Sequence, residues 1–310
     1  HPETLVLSAD LGTSCEVKKF RAEKPDQYLT MGIAEQNMCS WAAGLAREGY
    51  RPFLHTFSVF LSRRILDQVE MSVAYPNLPV TFVGFVPGIT TPGGVTHQSI
   101  NDVGIMRTVP NMAIFDVGDA TDIEGVLDLV YEWNGPAYIR MLRKEVPRLF
   151  PANEPMVFNR ARTITEGDDV LILSSSICTE EAMRATAALE DKGVSVQHMH
   201  VSTLKPFTDP TIVEALKKCK YGVVTMENHY NIGGLGSAVA DLMAENGIGK
   251  KLIKIGLNGY AHGASKMYLM TKYGIDAMNL VKSVEELIGK DLGIKEDDLD
   301  NQRFVDFLEV

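Results

Sequence analysis

Short apolar runs alternate with longer amphipathic stretches along most of this chain. The runs have the length and the β-branched content of single strands, and apolar residues in the longer stretches recur at helical spacing. This alternation is typical of an α/β architecture, in which mainly parallel sheets are flanked by helices. The predicted strands cover residues 5–8, 80–85, 113–116, 138–141, 170–174, 194–198, 221–227 and 251–255, and the predicted helices cover 33–47, 57–74, 119–131, 180–192, 209–218 and 236–246.

The length of the chain and one break in this pattern indicate two domains. A domain usually has ~100–200 residues, so a chain of 310 residues has room for about two. Between residues 150 and 162 the periodic pattern stops, and Pro151 and Pro155 mark a linker. We therefore predict one α/β domain over residues 1–153, a second over 154–290 and an acidic tail over 291–310.

The charge and the hydropathy disfavour two classes of partner. The formal net charge is −10, whereas nucleic acids and anionic membranes attract basic surfaces. No apolar run approaches the roughly 20 residues of a membrane span. We expect neither nucleic acid nor a membrane as a partner. A small phosphorylated substrate stays compatible with this charge, because it needs only a few local cations.

The cysteines indicate a reducing compartment. They are scattered, with no CxxC pair and no spacing typical of zinc ligands, which favours reduced and mostly buried thiols over a disulfide framework. We therefore expect a cytoplasmic protein. The residues concerned are Cys15, Cys39, Cys178 and Cys219.

Three short segments carry side chains suited to chemistry, although each also has a purely structural interpretation. Glu35, in the segment GIAEQNM (32–38), opens a predicted helix, where a carboxylate also stabilises the helix dipole. Phe57 and Phe60 have i, i+3 spacing, which suits either a core stripe or a platform for a flat heterocycle. His97, in TTPGGVTHQ (90–98), follows a predicted buried strand, and ligands of open α/β sheets bind beyond such strand ends.

The order and spacing of these segments resemble the transketolase family, specifically the two C-terminal domains of a transketolase. GIAEQNM, the Phe-x-x-Phe pair and THQS (96–99) occur in the family's order. In the second predicted domain, GVVTMENHYNIGGLGSAVA (222–240) and KYGIDAMNL (272–280) resemble the family's C-terminal domain. The resemblance runs from about residue 8 to about residue 284 and implies a thiamine diphosphate-binding pyrimidine domain followed by a transketolase C-terminal-like domain.

The resemblance also implies roles for individual residues. Glu35 matches the glutamate that hydrogen-bonds the aminopyrimidine ring of thiamine diphosphate and thereby activates the cofactor. Phe57 and Phe60 match the aromatic residues that pack on that ring. His97 matches the catalytic histidine that contacts the oxygen atoms of the donor sugar.

Further positions match the cofactor loop and the phosphate site of the family. Asp10 and Leu11 match a loop close to the cofactor, and Ser14 and Arg143 match positions that bind the substrate phosphate. For Arg143 a surface arginine after a strand is an equally good interpretation. The resemblance also places Arg63 among the cofactor-binding residues. Arg63 stands where many transketolases have tyrosine, which makes this segment more like deoxyxylulose-phosphate synthase.

Two departures from the family pattern bear on the sugar that is bound. Gly93 replaces an aspartate that selects hydroxyl stereochemistry, and Phe85 replaces a histidine that helps to bind the acceptor phosphate. The acceptor therefore need not be a usual pentose phosphate.

The metal-binding segment of the family is missing from this chain. The resemblance implies that Mg²⁺ holds the cofactor diphosphate through a Gly-Asp-Gly segment, and no Gly-Asp-Gly occurs in these 310 residues. We expect no metal ligand in this chain and a partner subunit that carries the segment, in an α₂β₂-like assembly. Self-dimerisation of this chain is also expected.

Four functions remain to be separated. The favoured one is the pyrimidine-binding subunit of a two-subunit transketolase, which transfers a two-carbon ketol unit from a ketose phosphate to an aldose phosphate. The rivals are the β subunit of a 2-oxoacid dehydrogenase, an enzyme like deoxyxylulose-phosphate synthase and a non-catalytic regulatory subunit. THQS together with Asp102 favours transketolase over the dehydrogenase.

Overall fold

The chain folds around two separate β-sheets in the computed structural model, which describes residues 1–143 and 146–300. Most of the predicted acidic tail, residues 301–310, lies outside the described residues. The strands are β1 (Thr4–Ser8), β2 (Tyr28–Thr30), β3 (Arg51–Phe57), β4 (Thr81–Phe85), β5 (Ala113–Asp116), β6 (Ala137–Met141), β7 (Arg162–Thr165), β8 (Val170–Ser174), β9 (Val196–His200), β10 (Thr203–Lys205), β11 (Gly222–Tyr230) and β12 (Leu252–Leu257).

The helices alternate with these strands, as the sequence pattern predicts. They are α1 (Lys18–Glu23), α2 (Glu35–Arg47), α3 (Ser58–Ser62), α4 (Leu66–Gln68), α5 (Asp102–Thr108), α6 (Ala120–Glu132), α7 (Cys178–Asp191), α8 (Pro210–Lys218), α9 (Leu235–Glu245), α10 (Lys266–Lys272), α11 (Ala277–Ile288) and α12 (Glu296–Asp300). Short 3₁₀ turns and one π-helical stretch, Val69–Ala74, complete the connections.

The first sheet brings several loop ends to one edge. Its strand order is β10-β5-β6-β4-β3-β1-β2, and the strands β1 to β6 all run parallel. The carboxyl ends of β1, β2, β3, β4 and β6 therefore lie along the same edge, which is where open α/β sheets bind ligands.

The second sheet has the order β12-β11-β8-β9-β7 and is parallel except for β7, which pairs antiparallel with β9. Its strand β8 is fully buried, and helices α7 and α11 pack against each other beside it. The prediction of two units with mainly parallel sheets flanked by helices is confirmed.

The two halves of the chain are joined by more than a linker. Strand β10, from the second half, pairs antiparallel with β5 and extends the first sheet. Arg140 on β6 is fully buried and donates hydrogen bonds to Asp102 and Asp116 in the first half and to the carbonyl of Asn228 in the second. These hydrogen bonds fix the relative position of the two halves. Separating the halves would leave the buried charge of Arg140 without part of its partners, which is energetically costly.

The prediction of one helix over residues 57–74 is wrong. Phe57 is the last residue of β3, and the helical stretch after it is broken into α3, α4 and the π-helical turns. Residues 53–57 pair with β4 in the sheet interior, and strand pairing there overrides the i, i+3 spacing of the phenylalanines. Strands β2, β3, β7 and β10 and the helices after residue 265 were not predicted from the sequence.

Local signals placed other elements correctly. The Asp119 side chain accepts a hydrogen bond from the backbone N–H of Asp122 at 2.9 Å, so it caps α6 as its sequence position predicts. All four cysteines are buried free thiols. Within the described part of the chain, no helix combines the length and the apolar character needed to cross a bilayer.

Candidate functional site

Glu35 is the first residue of α2 and follows β2 at the carboxyl edge of the first sheet. Gly32 has φ +68°, and this positive φ belongs to the tight connection that leads from β2 into the helix. The Glu35 side chain is only 4% exposed, unusual for a carboxylate at a helix start. A carboxylate that is buried to this degree needs a hydrogen-bonding or charged partner in the protein in place of water.

That partner is Arg64, which the sequence interpretation did not single out. Nη1 of Arg64 donates a hydrogen bond to Oε1 of Glu35 at 2.6 Å. The guanidinium carbon of Arg64 also lies 4.1 Å from the centre of the Phe60 ring. One planar cation thus contacts both the carboxylate and the aromatic face. The only sequence signal was the second position of the Arg63-Arg64 pair.

Phe57, Phe60 and His97 form one aromatic cluster beside this ion pair. The centres of the Phe57 and Phe60 rings lie 5.8 Å apart at an interplanar angle of 26°. The His97 ring meets both edge-on, with centre distances of 6.0 Å to Phe57 and 5.8 Å to Phe60. His97, which lies about 40 positions further along the chain than the two phenylalanines, is therefore brought into contact with both.

Two open cavities meet at Arg64. One, of about 270 Å³, is lined by Phe60, Arg63, Arg64 and neighbouring residues, and the other, of about 390 Å³, is lined by residues 33–37 and Arg64. Arg63 is exposed, and its Nη2 donates to the carbonyl of Val95 over a long 3.5 Å. Arg63 thus borders the first cavity, whereas Arg64 separates the two.

The loop that carries His97 explains the glycine at position 93. The Nδ1 atom of His97 lies 2.8 Å from Oγ1 of Thr96 within a 3₁₀ turn. A Cβ atom at Gly93 would lie 2.8 Å from Cβ of His97, closer than carbon atoms tolerate. The side chain of the family's aspartate therefore does not fit this loop unless His97 moves.

The loop after β1 approaches the same edge. Asp10 is exposed and has φ +60°, and the backbone N–H of Leu11 donates to Oγ of Ser8 at 3.2 Å. Leu11 and Phe60 both pack, partly buried, against the apolar cluster that contains Phe57. The Leu11 segment therefore packs against the same apolar cluster as Phe60.

Ser14 and Arg143 follow two parallel strands, β1 and β6, at this same edge. Ser14 is partly buried in the loop after β1, and Arg143 is exposed just beyond the end of β6. Burial raises the pKa of the neighbouring Cys15 thiol to about 12, and the positive charge of Arg143 acts in the opposite direction. Arg143 is therefore close enough to this loop for its charge to be felt there.

Phe85, at the end of β4, belongs to the wall of the aromatic cluster rather than to a polar site. Its ring is 5% exposed and packs in the same apolar group as Phe57, with its centre 5.8 Å from that of His55.

Within residues 1–143 and 146–300, no group of three or more His, Cys, Asp or Glu side chains could hold a metal ion.

Comparison with known proteins places both halves of the chain. Residues 1–148 match the family description "Transketolase, pyrimidine binding domain", and residues 159–279 match "Transketolase, C-terminal domain". The 6-deoxy-6-sulfo-D-fructose transketolase subunit SqwH of Clostridium sp. (strain MSTE9) is 37% identical over 91% of this chain and 88% of its own length. A putative transketolase C-terminal section of Methanocaldococcus jannaschii is 36% identical over 93% of this chain and 91% of its own length.

A solved structure agrees with these relatives. A split-gene transketolase, described as an inactive beta4 tetramer, superposes with a TM-score of 0.86 at 35% identity and covers 93% of each chain. Both halves, their order and their fold thus match one family. The chain belongs to the transketolase family and consists of that family's pyrimidine-binding domain followed by its C-terminal domain.

Proposed function

We propose that this chain is the pyrimidine-binding subunit of a two-subunit transketolase that transfers a two-carbon ketol unit from a ketose phosphate to an aldose phosphate. The observation that carries the proposal is the buried Glu35 carboxylate beside the stacked Phe57 and Phe60 rings. Both features lie at the carboxyl edge of the parallel sheet.

These residues fit the aminopyrimidine of thiamine diphosphate. A flat heterocycle with N–H donors needs an acceptor at its edge and an apolar surface against its face. The Arg64 guanidinium, itself planar and rich in N–H donors, already makes this pair of contacts with Glu35 and Phe60. The site is therefore built to accept a flat donor group between a carboxylate and a ring.

We assign a role to each residue of this site. When bound, thiamine diphosphate supplies the carbon nucleophile that accepts the two-carbon unit. Glu35 holds a proton at a ring nitrogen of the pyrimidine, and Phe57 and Phe60 orient the ring and exclude water from it. His97, whose ring contacts both phenylalanines, hydrogen-bonds the oxygen atoms of the donor sugar.

The remaining predicted site residues form the entrance. We assign Asp10 and Leu11 to the cofactor, with Arg63 at the border of the cavity beside Phe60. Ser14 and Arg143 bind the phosphate of the substrate, for which a guanidinium and a hydroxyl are suitable donors.

We assign the cofactor diphosphate and its Mg²⁺ to a partner subunit that carries the Gly-Asp-Gly segment, in an α₂β₂ assembly in the cytoplasm. Relatives of similar length support a split enzyme, since one is named a transketolase subunit and another a split-gene transketolase.

The test is to mix this chain with a Gly-Asp-Gly subunit, Mg²⁺ and thiamine diphosphate and to measure ketol transfer from ketose phosphates. Ketose donors that end in a sulfonate form a second arm, because a guanidinium binds either oxyanion. Glu35→Gln should lower kcat at least 100-fold, whereas Glu48→Gln, at the exposed end of α2, should not.

Other outcomes identify the rivals. Decarboxylation of pyruvate or branched oxoacids would indicate a dehydrogenase β subunit, and condensation of pyruvate with an aldose phosphate with loss of CO₂ would indicate a synthase. Turnover that is insensitive to Glu35→Gln would indicate a regulatory subunit and overturn the proposal.

A further inference from the structure

The segment between β4 and α5, which carries His97, is held largely by the second half of the chain. At its start, the buried Asn228 side chain binds the segment twice. Oδ1 of Asn228 accepts from the N–H of Ile89 at 3.0 Å, and its Nδ2 donates to the carbonyl of Pro87 at 3.1 Å. Asn228 lies on β11 of the second sheet, so the first part of the segment is fixed to that sheet.

Gln98, next to His97, connects the other end of the segment to the same half. Its side chain is 3% exposed, and Nε2 donates both to the carbonyl of Thr91 at 3.3 Å and to the carbonyl of His262 at 3.1 Å. The N–H of His262 in turn lies 3.2 Å from the hydroxyl of Tyr273. Gln98 thus ties both ends of the His97 turn to a loop that α10 and its following residue support.

The turn also touches this loop backbone to backbone. Gly94 has φ +67°, and a Cβ atom there would lie 3.3 Å from the amide nitrogen of Gly263. A Cβ atom at Gly263 would lie 2.5 Å from the carbonyl oxygen of Pro92, a distance at which something must shift. The contact therefore tolerates no side chain at Gly263, and any substitution there pushes on the turn.

Displacement of the turn must displace the histidine. The N–H groups of both His97 and Gln98 donate to the carbonyl of Gly94 at 2.9 Å, so the backbone of His97 moves with Gly94. The His97 ring meets the Phe57 and Phe60 rings edge-on, and a shift of the backbone alters that contact.

We propose that the C-terminal domain acts as the support of the substrate loop, with Gln98 and Gly263 as positioning residues that set His97 for binding the donor sugar. The inference rests on the proposed function, because it uses His97 as the sugar contact. It gives the C-terminal domain a part in donor binding although none of its residues belongs to the predicted site.

The experiment uses the assembled enzyme with its partner, Mg²⁺ and thiamine diphosphate. Gly263→Ala and Gln98→Met, which fills a similar volume without its hydrogen bonds, should each raise KM for the ketose donor and lower kcat/KM about 10- to 100-fold. The affinity for thiamine diphosphate should change less than twofold. Gly259→Ala is the matched control, because an added Cβ there has open space in the same loop.

A double-mutant cycle separates positioning from simple destabilisation. In a His97→Ala background, Gly263→Ala and Gln98→Met should cost less than twofold, since they act through His97. The inference would be overturned if Gly263→Ala or Gln98→Met lowered kcat/KM as strongly in the His97→Ala background as in the wild type. A parallel loss of cofactor affinity would also overturn it. If Gly263→Ala does not fold, Gln98→Met decides alone; if neither folds, the same cycle with the milder Tyr273→Phe decides. A wild-type assembly without ketol transfer would instead refute the proposed function.

Discussion

Nη1 of Arg64 lies 2.6 Å from Oε1 of Glu35, and the same guanidinium covers the face of the Phe60 ring. The two members of this pair are not equivalent, since the Glu35 side chain is 4% exposed and that of Arg64 45%. A buried carboxylate is thus neutralised by an arginine that reaches in from the surface. Glu35, which we propose activates the cofactor, is therefore a buried carboxylate that depends on a cation for its stability.

Arg64→Met should destabilise the chain, because it leaves the Glu35 carboxylate buried without its cation. We expect the free energy of unfolding in urea to fall by about 1–2 kcal/mol, less than for a fully buried pair because Arg64 is half exposed. Arg148→Met, which removes a surface pair with Glu124, should change it much less, because solvent screens an exposed pair. Equal effects of the two substitutions would show that burial of Glu35 does not need Arg64.

Phe60→Leu should weaken cofactor binding in the assembled enzyme while the fold is kept. Leucine stays apolar but lacks the flat face, and aromatic stacking is worth about 0.5–1.5 kcal/mol beyond area burial. The apparent dissociation constant for thiamine diphosphate should therefore rise about 3- to 10-fold, measured by activity as a function of cofactor concentration. Phe20→Leu, on α1 and likewise partly buried against that apolar cluster, should leave it unchanged, because Phe20 does not line either cavity at Arg64. An unaltered constant in Phe60→Leu would contradict the platform role.

Gly93→Asp restores the family's aspartate, yet it should lower activity with every ketose donor rather than change the sugar preference. The clash with His97 begins at Cβ, 2.8 Å away, so Gly93→Ala should lower kcat/KM for the donor by about as much, roughly 10- to 100-fold. Steady-state kinetics with several ketose donors checks both variants. An active Gly93→Asp enzyme with a new preference would show that the loop relaxes around the side chain.

Buried histidines should make the fold sensitive to acid. Burial lowers the pKa of His198 to about 3 and that of His229 to about 4, from an ordinary 6.5. A group whose pKa is lowered by folding contributes stability above pH 6.5 and loses it as the pH falls towards its folded value. Glu227, whose pKa burial raises to about 7, has the opposite sign, and its contribution is lost as the pH rises from 4.5 to 7.

The contribution of His198 is isolated by His198→Gln. Between pH 6.5 and pH 4 the free energy of unfolding should fall by about 3 kcal/mol more in the wild type than in this variant. The reason is that the wild type takes up a proton at His198 on unfolding, whereas the variant has no histidine there. Urea unfolding at a series of pH values measures the difference, and His1→Gln at the exposed terminus serves as control. Parallel pH profiles of wild type and His198→Gln would contradict a neutral buried His198.

The sequence by itself determined the α/β class, the helix that begins near Glu35, the cap at Asp119 and the loop position of His97. These features depend on local periodicity, capping and strand ends, which act over a few residues. The family likeness of the motifs could also be read there, although the roles of the individual residues remain proposals.

Only the tertiary structure decided that Phe57 closes a strand, that β10 joins the first sheet, that Arg64 pairs with Glu35 and that Gln98 binds the His262 carbonyl. The Arg64 contact joins residues 29 positions apart and the Gln98 contact residues 164 apart. Such partners leave no periodic signal in the chain, because their choice depends on which surfaces meet after the sheets have formed. The carboxylate at position 35 could be found from the sequence, whereas the groups that hold it and His97 in place required the fold.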